Sequence, residues 1–88
     1  MFRMWGKLFK DNRLLQDMVS VNDDPNLNRT RKVFSSLEEI CLAFDLSQPI
    51  WLDICVNDFR HHSKCRFTQD AFVEHIDFDY LEIQIIEE

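Results

Sequence analysis

The sequence predicts a small α+β domain in which one long amphipathic helix covers one face of a mainly antiparallel sheet. Two observations indicate this fold: a turn-forming pair lies between apolar segments near the start of the chain, and a later segment has helical periodicity. At 88 residues the chain suits one domain, residues 1–88. Its 45% apolar content predicts a folded chain, because that much apolar surface can offset the entropy of ordering.

The first 21 residues allow two interpretations. Residues 1–10 place their apolar side chains on one arc of a helical wheel with basic residues opposite, as in a helix that lies on a membrane surface. A β-hairpin turning at Asp11 and Asn12 explains more of the segment, because the helical phase fails after Asp11 and both residues tolerate the positive φ of a type I′ turn. We therefore favour the hairpin. Its expected pairs are Leu8 with Leu15, Met4 with Val19 and Phe2 with Val21.

The middle of the chain contains the longest segment with helical periodicity. Residues 22–28 are rich in turn formers and are predicted to form a surface loop. Asn28 is predicted to cap a helix that extends through Ser47, since its side-chain oxygen suits that position. The helix would turn one apolar stripe toward the core, formed by Val33, Phe34, Leu37, Ile40, Cys41 and Phe44.

Strand and short-helix patterns alternate in the second half. Pro49 cannot continue the long helix, and the alternation of apolar residues in Ile50–Val56 predicts a third strand. A helical turn capped by Asn57 or Asp58 is expected to run through residue 64, and a second short helix is expected to open at Thr68. Residues 78–86 then alternate again, which predicts a closing strand.

Charge and cysteine content narrow the classes of function. Sixteen acidic residues against ten basic ones give a formal net charge of −6, whereas nucleic-acid binding needs clustered Lys and Arg to neutralise phosphates. We therefore expect no nucleic-acid partner. Three cysteines leave one unpaired in any disulfide scheme, which indicates a reducing compartment. No apolar run approaches the length of a membrane span or a signal peptide, so a cytoplasmic location is expected.

Two stretches of the chain carry a resemblance to a known family. They are RTRKVFSSLEEICLAFDLSQPIWLD, residues 29–53, and RFTQDAFVEHIDFDYLEIQIIEE, residues 66–88. Together they resemble a family of small uncharacterised proteins from anaerobic Gram-positive bacteria, and the likeness extends over most of the chain. The resemblance implies a bacterial cytosolic domain, and it implies no activity, ligand or catalytic residue.

One group of residues suggests a metal site. Zinc is held by four Cys, His or carboxylate ligands in a tetrahedron, and Cys55, His61, His62 and Cys65 are followed ten residues later by His75. The two cysteines lack the close-pair spacing of most structural zinc sites. A small zinc-binding domain is therefore the alternative hypothesis for the function.

The same segment also allows a thiol-dependent enzyme. Lys64, Arg66 and His62 would favour the thiolate of Cys65, because nearby cations lower the pKa of a thiol. No pattern in the sequence supplies an oxyanion hole or a substrate pocket. We therefore predict no catalytic residue and no cofactor.

The favoured hypothesis is a non-enzymatic interaction module. In the expected hairpin register, Trp5 lies beside Met18 and Phe9 beside Leu14, on the face opposite Leu8 and Leu15. One helix can cover only one face of so small a sheet, which leaves this second apolar face for another chain. The expected contact residues are Trp5, Phe9, Leu14 and Met18, and the expected partner is another protein or a second copy.

Overall fold

The computed structural model describes all residues, Met1–Glu88, and has an α+β fold. Four antiparallel strands form one sheet in the order β2-β1-β4-β3, and two helices pack against it. The α+β fold class is therefore confirmed. The elements are β1 (Phe2–Lys10), β2 (Arg13–Asn22), α1 (Arg29–Ala43), α2 (Asp53–His62), β3 (Lys64–Phe67), a 3-10 turn (Gln69–Ala71) and β4 (Tyr80–Glu87).

The N-terminal segment is a β-hairpin, as favoured over the amphipathic helix. Asp11 and Asn12 form its turn with φ values of 53° and 63°, the positive values that a type I′ turn requires. Phe9 pairs with Leu14 as predicted, but the register then shifts by one residue at a bulge. The four other expected pairs are wrong, because the observed pairs are Leu8 with Gln16, Trp5 with Val19, Met4 with Ser20 and Phe2 with Asn22.

Helix α1 begins at the predicted residue and ends earlier than predicted. Asn28 is its N-cap, and the Oδ1 atom of Asn28 accepts a hydrogen bond from the backbone N–H of Arg31 at 2.9 Å. The helix ends at Ala43 rather than Ser47, because Asp45 adopts a left-handed conformation with φ of 58°. The predicted stripe is buried except for Phe34, which remains half-exposed.

The predicted third strand over Ile50–Val56 is wrong. The chain is extended through Leu52 and then forms α2, which buries Cys55 and Phe59 on one face at a spacing of four residues. The helical turn expected between residues 57 and 64 is the second half of this helix. The third strand of the sheet is instead the short segment β3.

Both helices lie on one face of the sheet, where they enclose the hydrophobic core. The core joins Met4 and Leu81 of the sheet to Ile40 of α1 and Phe59 of α2. Gly6, the only glycine, lies under α1: a Cβ atom at Gly6 would be 2.6 Å from Cγ2 of Ile40. The absence of a side chain therefore permits the close approach of helix and sheet. Neither helix is long and apolar enough to cross a membrane.

Candidate interaction surface

The sheet face opposite the helices, here called the outer face, contains polar and aromatic side chains from all four strands. The odd-numbered residues of β1 point to this side, whereas its even-numbered residues from Phe2 to Leu8 are buried on the helix side. The strand pairing places residues of the neighbouring strands beside them. The outer face is formed by Arg3, Trp5, Lys7, Phe9, Leu14, Asp17, Val19, Val21, Lys64, Arg66, Tyr80, Glu82 and Gln84.

An ion pair between Lys7 and Glu82 forms the centre of the outer face. The Nζ atom of Lys7 lies 2.7 Å from Oε2 of Glu82, and Nε of Arg66 donates to Oε1 at 3.0 Å. Both Lys7 and Glu82 are buried. Burial alone would raise the pKa of Glu82, but the hydrogen bonds from Lys7 and Arg66 outweigh it, so the pKa lies below its ordinary value.

Aromatic side chains flank this ion pair on two sides. The Nζ atom of Lys7 lies 3.9 Å from the centroid of the Trp5 ring, within the range of a cation–π contact. The rings of Phe9 and Tyr80 stack with their centroids 5.2 Å apart, and the guanidinium of Arg66 lies 4.6 Å from the Tyr80 centroid. Trp5 and Phe9 are therefore fixed by contacts within the chain and remain only partly exposed.

The structure brings three of the four predicted contact residues to the outer face. Trp5, Phe9 and Leu14 lie there, whereas Met18 lies on the helix side, opposite Gly6, and packs against the core. The bulge is the cause, because one extra residue in a strand moves every later side chain to the other face. Val19 takes the place opposite Trp5 that was expected for Met18.

Strand β2 presents the most apolar part of the outer face. Leu14, Val19 and Val21 are 46%, 42% and 47% exposed. The sequence alone does not identify the two valines as contact residues, because their orientation depends on the bulge. Asp17 is the only charged residue between Leu14 and Val21, and its Oδ2 atom accepts a hydrogen bond from Nε1 of Trp5 at 2.8 Å.

The backbone of β2 is unpaired on the side away from β1. This strand lies at the edge of the sheet and pairs with β1 alone. No hydrogen bond outside the ladder uses a backbone group of residues 13–21. Beyond the bulge, the register is regular from Gln16 to Asn22. Half of the backbone amides and carbonyls in this segment therefore point to solvent, as a template for a further strand.

The other edge of the sheet is different. Strand β3 has only four residues, and its outward side chains are Lys64 and Arg66. Short length and positive charge are two of the features by which proteins prevent pairing at a sheet edge. Of the two edges, only that of β2 is long and apolar.

The predicted zinc ligands do not assemble into one site. Cys55 and Cys65 are both buried and lie close together, and Sγ of Cys55 donates to the carbonyl of Arg66 at 3.3 Å. Nδ1 of His61 contacts the carbonyl of Asn57 at 2.7 Å. No three Cys, His, Asp or Glu side chains converge in an arrangement that could hold a metal ion.

The thiols lack the environment expected of a nucleophile. Burial is the largest cause of the raised pKa of Cys65, and the nearby Asp58 raises the pKa further. Burial also raises the pKa of Cys41 to about 11. The expected lowering of the pKa of Cys65 by Lys64 and Arg66 is not found, because Cys65 is buried on the core side of β3 and alternates with these two residues along the strand.

Comparison with models of protein families, with curated proteins and with solved structures finds no match to this chain.

Proposed function

We propose that the protein is a non-enzymatic interaction module that pairs with a second copy of itself through the free edge of β2. The observation that carries the proposal is the regular, unpaired edge from Gln16 to Asn22, with Val19 and Val21 exposed beside it. Pairing would satisfy the outward backbone groups and cover these valines together. The three free cysteines favour a reducing, cytoplasmic setting.

The charges at the two ends of β2 support a second copy as the partner. Arg13 begins the strand, and Asp23 and Asp24 follow directly after its end. Antiparallel pairing of two copies would place the basic start of each strand near the acidic end of the other. Parallel pairing would place like charges together. Opposite charges steer association and determine orientation, so the pattern favours a two-fold symmetric pair, the commonest form of homo-oligomer.

The single charge within the edge is compatible with pairing. A charged side chain usually protects an edge strand, because a partner strand would desolvate it. Asp17 is instead turned toward Trp5 by their hydrogen bond. The carboxylate thus lies over β1 rather than beyond the edge. A second strand could approach without breaking the hydrogen bond between Asp17 and Trp5.

The first experiment measures the mass of the particle as a function of protein concentration by sedimentation equilibrium. The wild-type chain should change from monomer to dimer as the concentration rises. Val19→Lys should raise the dimer dissociation constant at least tenfold, equivalent to about 1.4 kcal/mol, because it places a charge in the centre of the edge. Ile54→Lys is the matched control, since Ile54 is 68% exposed and belongs to α2, which packs against β3 at the opposite edge of the sheet.

Charge reversal at the strand ends tests the orientation. Arg13→Glu and Asp23→Lys should each weaken the dimer, and the chain with both substitutions should regain most of the affinity, because opposite charges again face each other. A wild-type chain that stays monomeric at every concentration would contradict self-association. A dimer that Val19→Lys leaves unchanged would show that another surface is used.

A further inference from the structure

A groove between α1 and α2, on the helix side of the molecule and independent of the β2 edge, has a different chemistry from the rest of the surface. Its volume is about 260 Å³. The groove lies between the first turns of α1 and the length of α2, with the extended residues before α2 contributing Trp51. It is lined by Arg29, Thr30, Val33, Phe34, Trp51, Val56, Phe59 and Arg60.

Aromatic rings form the apolar part of the groove. The ring of Trp51 meets those of Phe34 and Phe59 edge to face, with centroids 6.0 and 5.5 Å apart. A third edge-to-face contact, to the buried Phe67 at 5.1 Å, holds Trp51 from the core side. Phe34 is 50% exposed although it belongs to the apolar stripe of α1. The rings are thus fixed by one another but leave a surface on which a further ring can pack.

The charge of the groove is opposite to that of the chain. The chain has a net charge of −6, yet the groove lining contains two arginines and no acidic residue. The guanidinium of Arg29 lies 5.8 Å from the centroid of Phe59, so this charge is directly beside the apolar part. An apolar pocket with a few convergent charged groups is typical of small-molecule sites.

A carboxylate of the chain already binds at the edge of this groove. Oε1 of Glu88 accepts a hydrogen bond from Nε of Arg29, and both side chains are about half exposed. Arg60 has no such partner among the ion pairs of the chain. The groove therefore offers one guanidinium that is free and one that a competing carboxylate could take over.

We infer that the groove binds a small aromatic carboxylate. The ring would pack against Phe34 and Trp51, and the carboxylate would accept hydrogen bonds from Arg60 or, after displacing Glu88, from Arg29. The volume of the groove limits the size of the ligand, because 260 Å³ is below the range of about 300 to 1,000 Å³ that holds drug-sized ligands. One ring with a short acidic chain is the class that fits.

The test uses three probes that distinguish the contribution of the aromatic ring from that of the negative charge. Each of 3-phenylpropionate, phenethylamine and propionate is titrated into the protein, and binding is monitored by two-dimensional amide NMR. We expect 3-phenylpropionate to shift the amides of residues 29–34 and 51–60 with a dissociation constant of about 1 mM, in keeping with its few atoms. Phenethylamine carries the wrong charge, and propionate lacks the ring, so both should bind at least tenfold more weakly.

Three variants assign the contacts. Arg60→Gln and Phe34→Ala should each weaken 3-phenylpropionate about fivefold, whereas Arg31→Gln and Leu42→Ala, on exposed positions of α1 outside the groove, should not. Glu88→Gln should strengthen binding, because it removes the competing carboxylate from Arg29.

Either of two results would overturn the inference. One is the absence of shifts in the groove at concentrations of about ten times the expected constant. The other is equal binding of 3-phenylpropionate and phenethylamine, which would mean that the arginines do not select an anion. The substituted residues and the amides expected to shift all lie outside β2. Neither result therefore depends on whether the chain forms dimers.

Discussion

Nζ of Lys7 and Oε2 of Glu82 lie 2.7 Å apart on the outer face, and both side chains are about nine-tenths buried, with 11% and 9% exposed. No helix covers them. Neighbouring outer-face side chains contact the pair instead: the ring of Trp5 lies beside Nζ of Lys7, and the guanidinium of Arg66 lies beside Glu82. The outer face is therefore a layer of fixed side chains with an ion pair at its centre.

Because of this ion pair, the free energy of unfolding should fall at acidic pH. The pKa of Glu82 is lower in the folded chain than its ordinary value. Its contribution to the free energy of unfolding is therefore fully present above the unfolded pKa, about 4.3, and is lost as the pH falls through the folded pKa. Glu82→Gln should lower the free energy of unfolding by about 2 kcal/mol at neutral pH, the scale of hydrogen bonds to charged groups.

Urea denaturation at several pH values measures this effect. The loss of stability below the unfolded pKa of Glu82 should be smaller in Glu82→Gln than in the wild-type chain. Glu38→Gln, at an exposed position of α1 without an ion pair, is the control and should follow the wild type. Identical pH dependence in Glu82→Gln and the wild type would show that the ion pair does not stabilise the fold.

Gly6→Ala should destabilise the protein through Ile40. A Cβ atom at Gly6 would lie 2.6 Å from a methyl group on the β-branched carbon of Ile40, where χ1 rotation is restricted in a helix. Overpacking of this kind costs about 1–3 kcal/mol, which corresponds to a fall in melting temperature of several degrees for a domain of this size.

A double-mutant cycle identifies the cause of this loss. Ile40→Ala alone creates a cavity and should also destabilise. In the chain with both substitutions, the combined loss should be smaller than the sum of the two, because the new methyl group fills part of the vacated space. Strict additivity would mean that the cost of Gly6→Ala arises elsewhere.

Substitution by alanine should have different effects on stability at two equally buried serines. Oγ of Ser36 in α1 has no hydrogen-bond partner, whereas Oγ of Ser20 in β2 lies 3.2 Å from Oε2 of Glu39, to which it donates. Ser36→Ala removes an unsatisfied polar atom and should leave the free energy of unfolding unchanged or raise it, while Ser20→Ala should lower it by about 1 kcal/mol. Thermal unfolding of the two variants side by side checks the difference, and the reverse order would refute it.

The three cysteines should be protected from alkylation in the folded protein. All of them are buried, and burial raises the pKa of each thiol. Because the thiolate is the reactive form, iodoacetamide at neutral pH should modify the native chain far more slowly than the chain in urea. Rapid modification of Cys65 in the native protein, read by mass spectrometry, would restore the thiol-dependent enzyme as a hypothesis.

The sequence predicts a turn or an element boundary correctly where the residue types there favour one backbone conformation. Asp11 and Asn12 adopt positive φ readily, which is why the hairpin turn is identified correctly. Ser63 also adopts a positive φ, of 56°, and this conformation ends α2 and begins β3. A serine carries no such signal, since glycine and asparagine are the usual residues at that position. The short strand after it therefore could not be predicted.

The segment Ile50–Val56 shows why alternation alone misleads. Its apolar residues occur at every second position and fit a strand, but Cys55 and Phe59 have the four-residue spacing of a helix face. Ile54 is exposed, and its apolar character carries no information about the core. The bulge at Leu15 likewise has no signal in the sequence, although it places Val19 rather than Met18 on the outer face of the sheet.

Amide hydrogen exchange of β2 at rising protein concentration reports on the proposed edge pairing residue by residue. In a monomer, the amides of Gln16–Asn22 that point away from β1 have no acceptor and exchange rapidly. Edge pairing predicts that these alternate amides become protected as the concentration rises, in parallel with the increase in mass, and that Val19→Lys abolishes the protection. Rapid exchange of the same amides in a sample shown to be dimeric would contradict pairing through β2.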